Sequence, residues 1–239
     1  MNLLEKYLNG DTILVYNEIE RMGERAFEKD NLQEVNAVLR ETMNRVAFNL
    51  EVIYGALKEV NYCFNKNPRY DFEYPLLKPK EGVGSLIARL EKIIGGYGYV
   101  PLSLKMFYEI VGSCNFTWDY DEIPHIPWEG ADPIQIRPIT DLLSEAEGLD
   151  PDDDEPMGLP VSADYYHKDN ISGGPPYSIE LTPQPQIDSQ LINEENDTTF
   201  IKYLRITLGC CGFSRPDAAT HLPDFIQYLD KVGPLLKPI

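Results

Sequence analysis

Residues 159–181 read LPVSADYYHKDNISGGPPYSIEL. Leu159, Val161, Ala163 and Tyr165 alternate with polar or small residues, and so do Tyr177, Ile179 and Leu181 further on. A period of two places each set on one face of a strand. The intervening Asp169-Asn170-Ile171-Ser172-Gly173-Gly174 is rich in turn residues, so the two runs are expected to fold back on each other as a β-hairpin. Cys114, Phe116 and Trp118 alternate in the same way, and Pro133 to Arg137 gives another short strand.

Helical periodicity surrounds these strands. Val35, Leu39, Met43, Val46, Leu50, Ile53, Leu57 and Val60 recur in threes and fours, while Glu34, Arg40, Glu41, Arg45, Glu51, Lys58 and Glu59 lie opposite. That is one long amphipathic helix. The stripe lasts under four heptads, so packing on the chain's own core is favoured over a coiled-coil seam. Residues 12–28 are expected to be helical too, with a break at Asp30-Asn31. Ser85 to Ile94 carries an apolar stripe closed by Gly95-Gly96. Pro101 opens a helix with Leu104, Phe107, Tyr108 and Val111 on its face, because its missing N–H would be unpaired there anyway. Thr140 or Asp141 is the expected cap of a short helix, and Asp197 or Thr198 of another bearing Phe200, Ile201, Leu204 and Leu208. A last helix opens at Pro223. Helices combined with short antiparallel strands define an α+β fold. Residues 61–80 lose periodicity and hold three prolines, which divides the chain into a helical N-terminal extension and linker, 1–80, and an α+β domain, 81–239.

The chain has 239 residues and a formal net charge of -18. The excess is uneven: residues 1–83 carry 14 acids and 11 bases, and the remainder 25 and 10. From Trp118 to Glu155 there are thirteen acids and one base, Arg137. Direct nucleic-acid binding needs the opposite sign of charge, and an anionic membrane surface is disfavoured for the same reason. No apolar run is long enough to span a bilayer, and no signal peptide is expected. Cys63, Cys114, Cys210 and Cys211 match neither a disulfide framework nor a zinc site, which points to a reducing cytoplasm.

The succession Val100 to Gly112 (VPLSLKMFYEIVG), then Asn115-Phe116, Asp132-Pro133-Ile134, Gly173-Gly174 with Tyr177 to Leu181, and Phe200 to Arg205 ending at Gly212-Phe213 resembles the SMI1/KNR4 superfamily, also called SUKH. The resemblance covers about 84–232 and leaves residues 1–80 unaccounted for. It implies helices packed on a central, mainly antiparallel sheet. Bacterial members act mainly as immunity proteins that neutralise toxins, many of them nucleases; eukaryotic relatives act as intracellular interaction proteins. No catalytic residue, cofactor or metal ligand carries over from it.

The candidate contact surface is therefore Trp118, Asp119, Tyr120, Asp121 and Glu122, then Trp128, Glu129 and Asp132. Nuclease active sites are basic because they bind phosphates, and carboxylates mixed with aromatics suit such a partner. The competing reading puts Trp118 in the core and the acids in a solvated loop. The second acidic cluster, Glu145 to Glu155, lacks aromatic anchors. It fails the EF-hand pattern, because counting from Asp150 the obligatory glycine position is Glu155, and counting from Asp152 puts Pro156 at a ligand position. A solvated loop is the simpler reading. Cys211 with His221 is the remaining conceivable catalytic pair, but no nucleophile elbow accompanies it. The expected function is non-enzymatic binding of a protein, foremost a basic toxin domain, with an intracellular scaffold of the same fold as the alternative and a Cys/His hydrolase as a remote one.

Overall fold

The long periodic stripe becomes helix α3, Lys29–Glu59, against which several of the other helices assemble. The computed structural model describes residues 2–66, 74–120, 122, 128–149 and 158–239. Seven of the eight stripe residues, Val35 through Leu57, are buried; Val60, just past the helix end, is exposed. Two polar residues, Thr42 and Asn49, share the buried face. Each is satisfied: Thr42 bonds back to the Val38 carbonyl and meets the Tyr16 hydroxyl, and Asn49 pairs twice with the backbone of Lys237. Those bonds lay residues 237–239 along the helix, with Arg45 and Arg205 reaching the carbonyls of Pro238 and Ile239.

Ahead of α3 stand α1, Leu3–Leu8, closed by an Asn2–Glu5 capping box, and α2, Thr12–Met22. The break before α3 falls earlier than Asp30-Asn31. Gly23, at φ 54°, ends α2 and starts a 3-10 turn, Gly23–Phe27, and both Asp30 and Asn31 lie in the first turn of α3. After β1 (Leu76–Leu77) come α4 (Val83–Ile94), α5 (Leu102–Ile110), β2 (Ser113–Asn115), β3 (Gln135–Ile136) and α6 (Ile139–Ala146). Then follow β4 (Gly158–Ser162), α7 (Tyr165–Lys168), β5 (Tyr177–Glu180), β6 (Leu191–Ile192), α8 (Phe200–Gly209) and α9 (Pro223–Val232).

The fold is α+β, with packed helices and small antiparallel sheets. Strands pair in the orders β1-β2-β3 and β4-β5-β6, and the Arg137 N–H joins the two sets by donating to the Val161 carbonyl at 2.8 Å. The β4–β5 pairing aligns Leu159 with Ile179, and a register shift follows between Pro160 and Ser162, where proline supplies no ladder N–H. A single helical turn, α7, occupies the connection, capped by the Asp164 carboxylate on the N–H groups of Tyr166 and His167.

Two expected caps are replaced. α6 starts at Ile139 behind Pro138, leaving Thr140 and Asp141 inside its first turn. α8 starts after Thr199, and the carboxylate at its N-terminus comes from Asp188, which accepts from the Ile201 N–H and also from Ser103 Oγ in α5 at 2.7 Å. One side chain thus ties two helix starts together. Gly112 makes the closest backbone approach. Its φ is 97°, and a Cβ there would stand 2.1 Å from the Leu77 carbonyl oxygen, so only glycine admits β1 beside β2.

The hydrophobic core runs without interruption across residue 80. Tyr62 and Phe64, just after α3, pack on Phe116, Trp118 and Trp128, with ring centroids 4.9 to 5.8 Å apart. No helix among the described residues is long and apolar enough to cross a membrane.

Candidate functional site

The acidic segment leaves the end of the first sheet. Phe64 and Trp118 form an antiparallel bridge, and the Asp119 N–H donates to the Cys63 carbonyl at 3.0 Å. Trp118 is consequently inside the core, edge-on to Tyr62. Trp128 is inside too. Its indole packs on Phe213, Phe225 and Tyr228, and its N–H donates to Asp224 Oδ2 at 3.3 Å. An indole so placed satisfies its one polar atom while its rings leave water.

Asp132 is fully buried. Its carboxylate accepts from Lys168 Nζ at 2.6 Å, from the Tyr177 hydroxyl at 3.0 Å and from Ser214 Oγ. Its φ of 55° lies in the left-handed region that Asp and Asn tolerate best among side-chain-bearing residues. Trp118, Trp128 and Asp132 therefore present no side chain to an approaching partner, which corrects their expected place on the contact surface. The cause is physical: the two indoles find apolar neighbours, and Lys168, itself buried, requires an opposite charge.

Four of the expected residues remain at or near the surface. Glu122 and Glu129 are exposed, and Asp119 and Tyr120 are half-buried. Asp121 lies outside the described residues, as do His125 and the 150–155 part of the second acidic cluster. Asp119 Oδ1 accepts from the Glu122 N–H at 3.2 Å, and Glu122 Oε2 accepts from the Cys63 thiol at 3.5 Å. Burial, with Glu122 and Asp119 adding to it, pushes the Cys63 thiol up. The donor atoms of Cys63, Asp119 and Glu122 lie within 4.8 Å of one another, close enough to share a cation. With the thiol protonated, the same arrangement is satisfied by its own hydrogen bonds.

A residue outside the expected set organises the base of this surface. Asp169, the C-cap of α7, accepts from the Tyr120 hydroxyl at 3.2 Å on one oxygen and from the Gly130 N–H at 2.7 Å on the other. It holds both flanks of the segment between them. Burial pushes the Asp169 carboxyl up, and the two hydrogen bonds oppose that shift. In the sequence Asp169 is one of several turn residues, and nothing in its local pattern distinguishes it.

The Cys211 thiol is buried, pushed up to about 12 chiefly by that burial, and points at the Leu229 carbonyl. His221 is exposed. An activated nucleophile needs the reverse shift.

No protein-family model, curated protein or solved structure matches this chain.

Proposed function

We propose that this chain works in the cytoplasm by binding a protein, as an immunity protein of the SMI1/KNR4 kind whose acidic face covers a basic toxin domain. The observation that carries this reading is the set Asp119, Glu122 and Glu129. These carboxylates are open to solvent to different degrees and stand on a segment whose two flanks are tied by Asp169. They belong to a chain of net charge -18. A fixed field of one sign speeds the encounter with a cationic partner and rejects anionic ones. Residues 81–239 would form the binding domain, with the preceding helices bracing it through the shared core. The high Cys211 value speaks against the hydrolase reading.

Growth protection tests the proposal. Cells expressing the toxin domain encoded beside this chain should survive when the chain is co-expressed and die without it. A chain that co-purifies with a host protein and protects against no toxin would instead be the scaffold of the same fold.

A further inference from the structure

Next to the acidic segment, α7 exposes an aromatic stack. Tyr165 and Tyr166 lie ring to ring with centroids 4.0 Å apart, and the Arg215 guanidinium covers Tyr165, also at 4.0 Å. Tyr166, at the outer end of the stack, is 41% exposed. Gly173 packs so closely on it that a Cβ there would stand 2.5 Å from the Tyr166 Cβ. The ring is thus held in place before any partner arrives, and little side-chain entropy remains to be lost.

Three bonds make the stack continuous with the acidic segment. The Arg215 N–H donates to the Ala131 carbonyl at 3.0 Å, Asp169 accepts from the Gly130 N–H, and the Asp169 N–H donates to the Tyr166 carbonyl. Exposed Glu129 adjoins Gly130 in sequence, and exposed Asp217 lies two residues after Arg215. The next two side chains of α7 are engaged: Lys168 is buried on Asp132, and His167 bonds to Asp164.

We propose that Tyr166 is the aromatic anchor of the partner surface and receives an arginine side chain of a basic protein. This inference rests on the binding function proposed above and replaces the buried Trp118 and Trp128 as its hot spot. Two features select the occupant. An exposed tyrosine ring attracts cations through its quadrupole, and Arg215 already uses the adjoining ring in that way. The net charge of -18 favours the same sign and repels anions. A guanidinium stacks flat and can bond a carboxylate at the same time, which an ammonium does less well.

The full chain, labelled for amide NMR, is titrated with the peptide Ac-Gly-Arg-Gly-Arg-Gly-NH2 and with its citrulline counterpart, which keeps the shape and loses the charge. The arginine peptide should shift Tyr165, Tyr166 and Gly173 together with Glu129 and Gly130, and the citrulline peptide should not. Tyr166→Ala and Tyr166→Leu should each weaken binding about twofold to fivefold, Tyr166→Phe should retain it, and all three should keep the wild-type spectrum elsewhere. Shifts confined to Asp119, Glu122 and Glu129 and indifferent to Tyr166→Leu would overturn the anchor while leaving the acidic-face reading standing. An absence of shifts anywhere would overturn both.

Discussion

The buried pair Asp132–Lys168 provides the most demanding prediction. Both side chains are wholly shielded from solvent and 2.6 Å apart. Lys168 Nζ also sits 4.8 Å from the Tyr177 ring centroid, and Tyr177 donates to the same carboxylate. Lys168→Met removes the positive charge and leaves a buried carboxylate with two hydroxyl donors. Asp132→Asn keeps the shape and the tolerance of positive φ but leaves a buried ammonium with no counter-charge. Breaking a buried pair from one side costs about 3–5 kcal/mol, which for a chain of this size lowers Tm by roughly 6–20 °C. The double variant Asp132→Asn/Lys168→Met leaves neither charge stranded, so its loss should fall well short of the sum of the two single losses. Urea unfolding at neutral pH measures all three. A loss under about 1 kcal/mol for each single variant, the range of an exposed pair, would refute the burial argument and return Asp132 to the surface. Lys231→Met is the control, because its pair with Glu59 is open to water at both ends; its stability should match wild type.

Other consequences are local. Gly112→Ala should cost more than about 2 kcal/mol of unfolding free energy, since the new methyl would overlap the Leu77 carbonyl; a near-neutral result would mean that β1 does not pair with β2 in solution. Asp188 is pushed up by burial, so its native form holds a proton more tightly than the unfolded chain does. The stability this contributes is complete below the ordinary carboxylate range and is lost as pH rises through the raised value. Wild type should therefore lose stability relative to Asp188→Asn as pH rises above the ordinary carboxylate range, about pH 4, and the opposite slope would contradict the shift. Cys114 and Cys211 are buried and pushed up to about 12, so thiol labelling under native conditions should spare both, and their modification should track unfolding as denaturant is added. Rapid native labelling of Cys211 would revive the nucleophile reading.

Features with a short sequence range were legible, and those set by distant partners were not. The α3 stripe, Pro223 at the start of α9 and the pairing of residues 158–162 with 177–180 each follow from residues close together in sequence, although the strand stops at Ser162 and Tyr165, expected in it, opens α7. The fate of Asp132 depends on Lys168, 36 residues away, and the start of α8 on Asp188 rather than on its neighbours. Trp118 and Trp128 illustrate the same limit. Aromatic residues among carboxylates suit an interface or a core equally well, and only the packing of Tyr62, Phe213 and Phe225 decides for the core. The candidate surface was thus legible in its charges, Asp119, Glu122 and Glu129. Its clasp, Asp169, and its stacked rings, half-buried Tyr165 and exposed Tyr166, emerge only once α7 is folded against the acidic segment.

The association rate with the cationic partner, measured against ionic strength, tests the central claim most directly. For the wild-type chain it should fall steeply as salt rises. In the folded triple variant Asp119→Asn/Glu122→Gln/Glu129→Gln it should start about tenfold lower and depend on salt far less. A rate and salt slope unchanged by the three substitutions would contradict an acidic face as the binding surface.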